Sequence, residues 1–137
     1  MEDARAAAAG AFAAAVWAAA EPAAGRAFAT PYSDVRLLGA PLSQRHWRVA
    51  GTALHLANGA AAGVLFRRLG LRGRRAGALA AVAENTLVWP AMAIVDRVHP
   101  DRRSGAWPPL LRNGRVFAQE TAVHALFGAI LGGLLRD

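Results

Sequence analysis

The sequence predicts an all-α fold: an integral membrane bundle of four transmembrane helices in a single domain spanning residues 1–137. Three observations predict it. Charge is segregated along the chain, the neutral stretches have membrane length, and two of them share a pattern. Ala6 to Ala20 carries no charge, and Val49 to Phe66 none apart from the titratable His55. Ala76 to Val95 carries only Glu84, and Val116 to Leu135 only Glu120, with His124. All 16 basic residues are arginine, and all lie outside these stretches. Three of the stretches reach the roughly 18–20 residues that a helix rising about 1.5 Å per residue needs to cross a hydrocarbon core. A soluble amphipathic helix would place a charge on its outer face every few residues. The mean hydropathy of only +0.23 averages these spans with arginine-dense connections. A soluble alanine-rich bundle is the competing reading, but so small a domain cannot hide four uncharged helices.

The first span is assigned to about 5–21. It is the weakest of the four, an apolar run of only fifteen residues that is mostly alanine. A signal peptide ending at Ala18-Ala19-Ala20 would look similar, yet the start Glu2-Asp3-Ala4-Arg5 is acidic rather than basic. The span extends to about Ala24 if Glu21 sits among headgroups. The connection 22–47 follows, with turn signals at Thr30-Pro31-Tyr32-Ser33-Asp34 and Gly39-Ala40-Pro41, and a short interfacial turn expected at Val35–Leu38. The second span (48–67) and third (76–96) are joined by a turn short enough to make them an antiparallel hairpin. Pro90 removes a backbone donor, so a kink is expected beyond Glu84. The connection 97–114 holds Pro108-Pro109 and reads as irregular. The fourth span is 115–135.

The turn 67–75 holds five arginines and no acid. The positive-inside rule therefore places it, and both termini, on the cytoplasmic face of a bacterial inner membrane. Trp17, Trp47, Trp89, Trp107 and Tyr32 are expected at the opposite face. Although the pI of 11.7 suggests nucleic acid, arginines divided between two faces of a bilayer point to anionic headgroups instead, with no nucleic-acid partner.

The second and fourth spans share His-x-x-x-Gly-x-x-x-Gly, as His55, Gly59, Gly63 and His124, Gly128, Gly132, offset by 69 residues. Positions four apart lie on one helix face, and small residues let helices approach closely in lipid. The stripe extends back to Gly51 in one span and Glu120 in the other. The two spans run in the same direction, so they are expected to meet through these glycines with the imidazoles at matched depth. A two-plus-two internal repeat follows as an expectation, with only a faint counterpart between Gly10-Ala11-Phe12-Ala13-Ala14 and Gly77-Ala78-Leu79-Ala80-Ala81. His55, Gly59, Gly63, Trp89-Pro90 and His124-Ala125-Leu126-Phe127-Gly128 give the chain a resemblance to small multi-span bacterial membrane proteins of the YagU-like type. Thr30-Pro31-Tyr32-Ser33-Asp34 also looks like relatives from high-GC bacteria. The resemblance implies a location and a helix count, and no catalytic residue.

The candidate site is the set of polar residues within the spans: His55, Asn58, Glu84, Asn85, Glu120 and His124. Glu84, near the middle of its span, would cost about 2.5–3.5 kcal/mol if charged there, so it should be paired, neutral or facing a cavity. Asn58 and Asn85 are expected to hydrogen-bond between helices, and Glu120 to meet His124 one turn on. His46 and His99 are assigned to solvated loops. No cofactor is expected: two facing histidines could ligate haem, but glycine-packed helices leave no room for it, and no metal site is assigned. Nucleotide-loop, nucleophile-elbow and zinc-protease motifs are absent from the sequence. The first reading is a non-enzymatic structural or accessory protein whose polar cluster holds the bundle. The second is a small proton-linked transporter or channel using Glu84 with His55 and His124. A water-accessible cavity reaching Glu84 separates them. Homo-oligomerisation is left open.

Overall fold

A computed structural model describes residues 2–135, which form helices and turns with no strand among them. Helix α1 (Glu2–Phe28) is longer than its sequence assignment. Glu2 and Asp3 fill its first turn, where the helix dipole favours acids. It runs through Pro22 and ends where Ala29 turns to a φ of 52°, with the Thr30 N–H donating back to the Gly25 carbonyl at 2.9 Å. The expected interfacial turn is helix α2 (Asp34–Gly39), capped by the Ser33 hydroxyl, which accepts from the Arg36 N–H at 3.1 Å. Helix α3 (Trp47–Arg68) follows. Helix α4 (Arg74–Val88) passes through a 3-10 turn at Trp89–Ala91 into α5 (Met92–Val98), so the break falls at Pro90 as expected. The connection read as irregular contains one helical turn, α6 (Pro100–Arg103). Helix α7 (Gly114–Leu134) is capped by the Asn113 side-chain oxygen, which accepts from the N–H groups of Arg115 and Val116.

Three segments among the described residues are long and apolar enough to cross a membrane: Glu2–Phe28, Trp47–Arg68 and Arg74–Val98. The 21-residue α7 is not one of them, since it carries Gln119, Glu120 and His124. Large apolar side chains stay exposed on all these helices, among them Phe12, Val49, Leu65, Leu79, Leu87, Ile94 and Leu134.

The glycines explain the packing, and they correct the expected partnership. Gly59 and Gly63 of α3 face α1: a Cβ on Gly59 would lie 2.5 Å from the Ala14 Cβ and 2.6 Å from the Gly10 carbonyl oxygen, and one on Gly63 would overlap the Ala6 carbonyl. Gly128 and Gly132 of α7 face α4 in the same way. A Cβ on Gly128 would lie 2.7 Å from the Ala81 Cβ, and one on Gly132 2.5 Å from the Gly73 carbonyl oxygen. The second and fourth spans therefore do not meet through their glycines. Each stripe is taken up by the neighbour that offers Gly10 or Gly77, where two backbones without side chains can touch. Gly51 packs elsewhere again, against Val35 and Gly39 of α2.

In both pairs the contacts descend one helix as they climb the other, so each pair is antiparallel. α1 also packs on α7, through Ala13, Ala14, Trp17, Val123, Phe127 and Leu131. The order in space is α3, α1, α7, α4. α3 and α4, although joined by a short turn, stand at the outer positions with a cleft between them. At the Arg67 end, Arg67 binds Asp3 and Glu2 and Arg68 binds Asp3. At the other end Tyr32, Trp89, Trp107, Leu110 and Val116 form a second core beneath α2 and α6.

Candidate functional site

The cleft between α3 and α4 has a volume of about 540 Å³, within the roughly 300–1,000 Å³ of small-molecule sites. Its lining divides by chemistry. Asp34, His55, Asn58, Glu84 and His124 make one part polar, while Leu65, Phe66, Leu69, Leu71 and Phe127 make the other apolar.

Trp17 is the hub of the polar part. The sequence reading put it at the membrane face near the end of its span, but α1 continues eleven residues past it, so it lies mid-helix and buried. Its ring meets His55 edge-on at 4.9 Å and His124 at 4.4 Å between centroids. The two histidines thus reach the same depth, as their matched positions suggested, but with a tryptophan between them.

Each imidazole has an acid. His55 Nδ1 lies 3.5 Å from Asp34, whose other oxygen accepts from the Tyr32 hydroxyl at 3.0 Å. His124 Nδ1 lies 2.7 Å from the Glu120 carbonyl oxygen, and Nε2 lies 3.3 Å from Glu84. A carbonyl can only accept, so Nδ1 carries a proton and donates. Nε2 and the Glu84 oxygen facing it would then both be acceptors unless another proton lies between them. Glu84 thus lies within ion-pair distance of the imidazole while its carboxylate stays open to the cleft.

Glu84 is not enclosed. Its side chain is 59% exposed, because α4 has no α3 surface against it there and the carboxylate opens on the cleft. Asn58 is likewise exposed, on the opposite wall, and is not part of a buried cluster. Asn85 does bridge helices, its amide donating to the Thr121 hydroxyl at 3.3 Å. Glu120 is buried, with Oε2 4.0 Å from His124 Nδ1 and Oε1 without a hydrogen-bond partner. Trp17 Nε1 and His55 Nε2 are also buried without partners, and these three atoms are the ones so placed among the described residues. A buried polar atom left unpaired costs about 1–3 kcal/mol. Two of the three, on Trp17 and His55, belong to residues lining the cleft and mark a place built for water or a polar ligand.

Sequence reasoning missed Asp34 and Glu21. Glu21 was placed among headgroups. It is buried on the Pro22 side of the cluster, accepting from the Ser33 hydroxyl at 2.6 Å and from the N–H groups of Asp34 and Val35 at 2.5 and 3.2 Å. It thereby satisfies the N-terminus of α2 and fixes Asp34 at the cleft. The legible signal was Ser33-Asp34 after a proline-containing turn, a helix start. Burial pushes the Asp34 carboxyl above its usual range, with Glu84 adding to the effect and His124 and the Tyr32 hydroxyl opposing it. Burial, then Asp34, also raises the Tyr32 phenol well above normal, keeping it a donor. Gln119, fully buried, holds the same loop through Thr30 and the Tyr32 carbonyl.

His99 is a further correction. It is buried, not solvated, and stacks on Trp107 at 4.5 Å with the rings 4° from parallel. Beside it Arg36 grips Asp101 in a two-pronged pair at 2.6 and 2.7 Å. His46 is exposed, as expected. Among the described residues no three His, Asp or Glu side chains gather closely enough to hold a metal ion.

The fold and site define an all-helical protein with three membrane-length apolar segments and a polar cleft beside them. Comparison with protein-family models, curated proteins and solved structures finds no match.

Proposed function

We propose that the chain is a small polytopic protein of the bacterial cytoplasmic membrane, crossing it four times with both termini cytoplasmic, and that it is a proton-linked transporter working through the cleft. In this reading α7 is the fourth span. Gln119 and Glu120 are buried and His124 lines the cleft, so the lower apolar character of α7 is no obstacle. The equivalence of the α1–α3 and α4–α7 contacts supports an internal two-plus-two repeat, and the YagU-like resemblance belongs to the same proposal.

The observation that carries the transport reading is the open cleft reaching Glu84, whose carboxylate lies 3.3 Å from His124 Nε2. A purely structural polar cluster would be dry and fully paired. Here the carboxylate is exposed, and Trp17 and His55 keep unpartnered polar atoms nearby. Asp34–His55 and Glu84–His124 flank Trp17 as two acid–imidazole pairs, each able to take and release a proton. The test is proton flux into proteoliposomes for the wild type and Glu84→Gln. Flux in the wild type and its collapse in the variant are expected. Equal, negligible flux in both would return the protein to the structural or accessory reading.

A further inference from the structure

The cleft differs in charge from the rest of the molecule. The chain carries a formal +7, yet among the described residues no arginine lines the cleft. The charged lining is two carboxylates, Asp34 and Glu84, each against an imidazole. Next to them lies the Trp17 ring, of a kind that attracts cations. Beyond lies an apolar pocket of Leu65, Phe66 and Phe127 with no charge.

A cleft lined by two carboxylates and, among the described residues, by no arginine is attractive to cations and hostile to anions. The apolar part selects further, since a small hydrated cation would leave it unfilled. We propose that the cleft binds a lipophilic monocation, its charge between Asp34 and Glu84 and its apolar body against Leu65, Phe66 and Phe127. This rests on the reading of the cleft as a transport site and names its substrate class. Displacement of the Glu84–His124 proton by the arriving cation would couple the two movements without any further group.

The test is binding of radiolabelled tetraphenylphosphonium to the full chain in lipid nanodiscs, against empty nanodiscs and against tetraphenylborate, an anion of nearly the same shape. Saturable excess binding of the cation and none of the anion is expected. Glu84→Gln and Asp34→Asn should each weaken it by about tenfold, which is about 1.4 kcal/mol. Ala61→Phe keeps every charged pair and fills the cleft from an exposed position, so it should abolish binding with the fold intact. Equal uptake of both ions, no saturable excess, or undiminished binding by Ala61→Phe would overturn the proposal. Proton flux without cation binding would leave the transport reading standing. Binding without flux would remove the transport reading alone.

Discussion

His124 Nε2 stands 3.3 Å from Glu84 while Nδ1 is committed to the Glu120 carbonyl at 2.7 Å. The transport reading places a proton in the Glu84–His124 contact. At neutral pH the wild type should show either an imidazolium signature for His124 in nitrogen NMR or a protonated carboxyl band in the infrared that Glu84→Gln removes. Finding neither would count against the transport reading.

The glycine contacts make a second prediction. Gly59→Ala and Gly128→Ala place a methyl group against a facing alanine Cβ and a glycine carbonyl, in equivalent positions of the two helix pairs. Overpacking of this kind costs about 1–3 kcal/mol, and the two variants should lower the thermal midpoint in detergent by similar amounts. Gly114→Ala, with nothing within 4 Å of the added carbon, is the control and should leave the midpoint within a degree or two. A loss at Gly59 without one at Gly128 would show that the pairs are not equivalent.

These residues also show where the sequence was legible. The long helices were, because arginine is shut out of their middle stretches. The register of the glycines was, because a period of four survives any choice of partner. The partner itself was not: a stripe of small residues says that a backbone will come close, not whose. Gly10 and Gly77 were visible only as a faint match, yet they decide the packing. The short turn suggested that α3 and α4 would pack together, whereas the contacts of α1 with α3 and of α4 with α7 hold them apart. Glu84 was found because a lone acid in an apolar span is conspicuous. Asp34 was not, because it starts a short helix in a connection that only the fold returns to the cleft. Trp17 was misplaced because alanine gives no sharp helix end.

The Arg36–Asp101–His99 group predicts a pH dependence outside the spans. His99 Nδ1 accepts from the Asp101 N–H at 3.2 Å, so Nε2 donates to the Leu37 carbonyl at 3.2 Å and the ring is neutral. Burial holds its pKa below the usual 6.5, despite Asp101. Its stabilisation is therefore fully present above 6.5 and is lost as pH falls from there toward the folded value. Asp101, held below 3.8 first by its hydrogen bond from Arg36, weakens later, as pH falls through its own lowered value. Hydrogen exchange over residues 99–107 should accelerate as pH drops below 6.5, after correction for intrinsic exchange. His99→Gln should remove that first stage and leave the second. Protection unchanged down to pH 5 in the wild type would show that His99 is not the titrating group. Arg36→Leu should cost about 1–3 kcal/mol, since it strands a buried carboxylate but removes a partly exposed partner.

The absence of cysteine makes the membrane orientation directly testable. Single cysteines can be placed at Leu69, in the turn after α3, and at Leu42, between α2 and α3; both side chains are well exposed, at 63% and 66%. The two sites lie at opposite ends of α3, so a spanning helix puts them on opposite sides of the bilayer. Arginines crowd the turn, which the positive-inside rule assigns to the cytoplasm. A membrane-impermeant maleimide added to intact cells should label Leu42→Cys and spare Leu69→Cys, and cell lysis should expose both. Labelling of Leu69→Cys alone would invert the topology and place both termini outside. Labelling of both in intact cells would mean that α3 does not cross the membrane, and the four-span reading would fall with it.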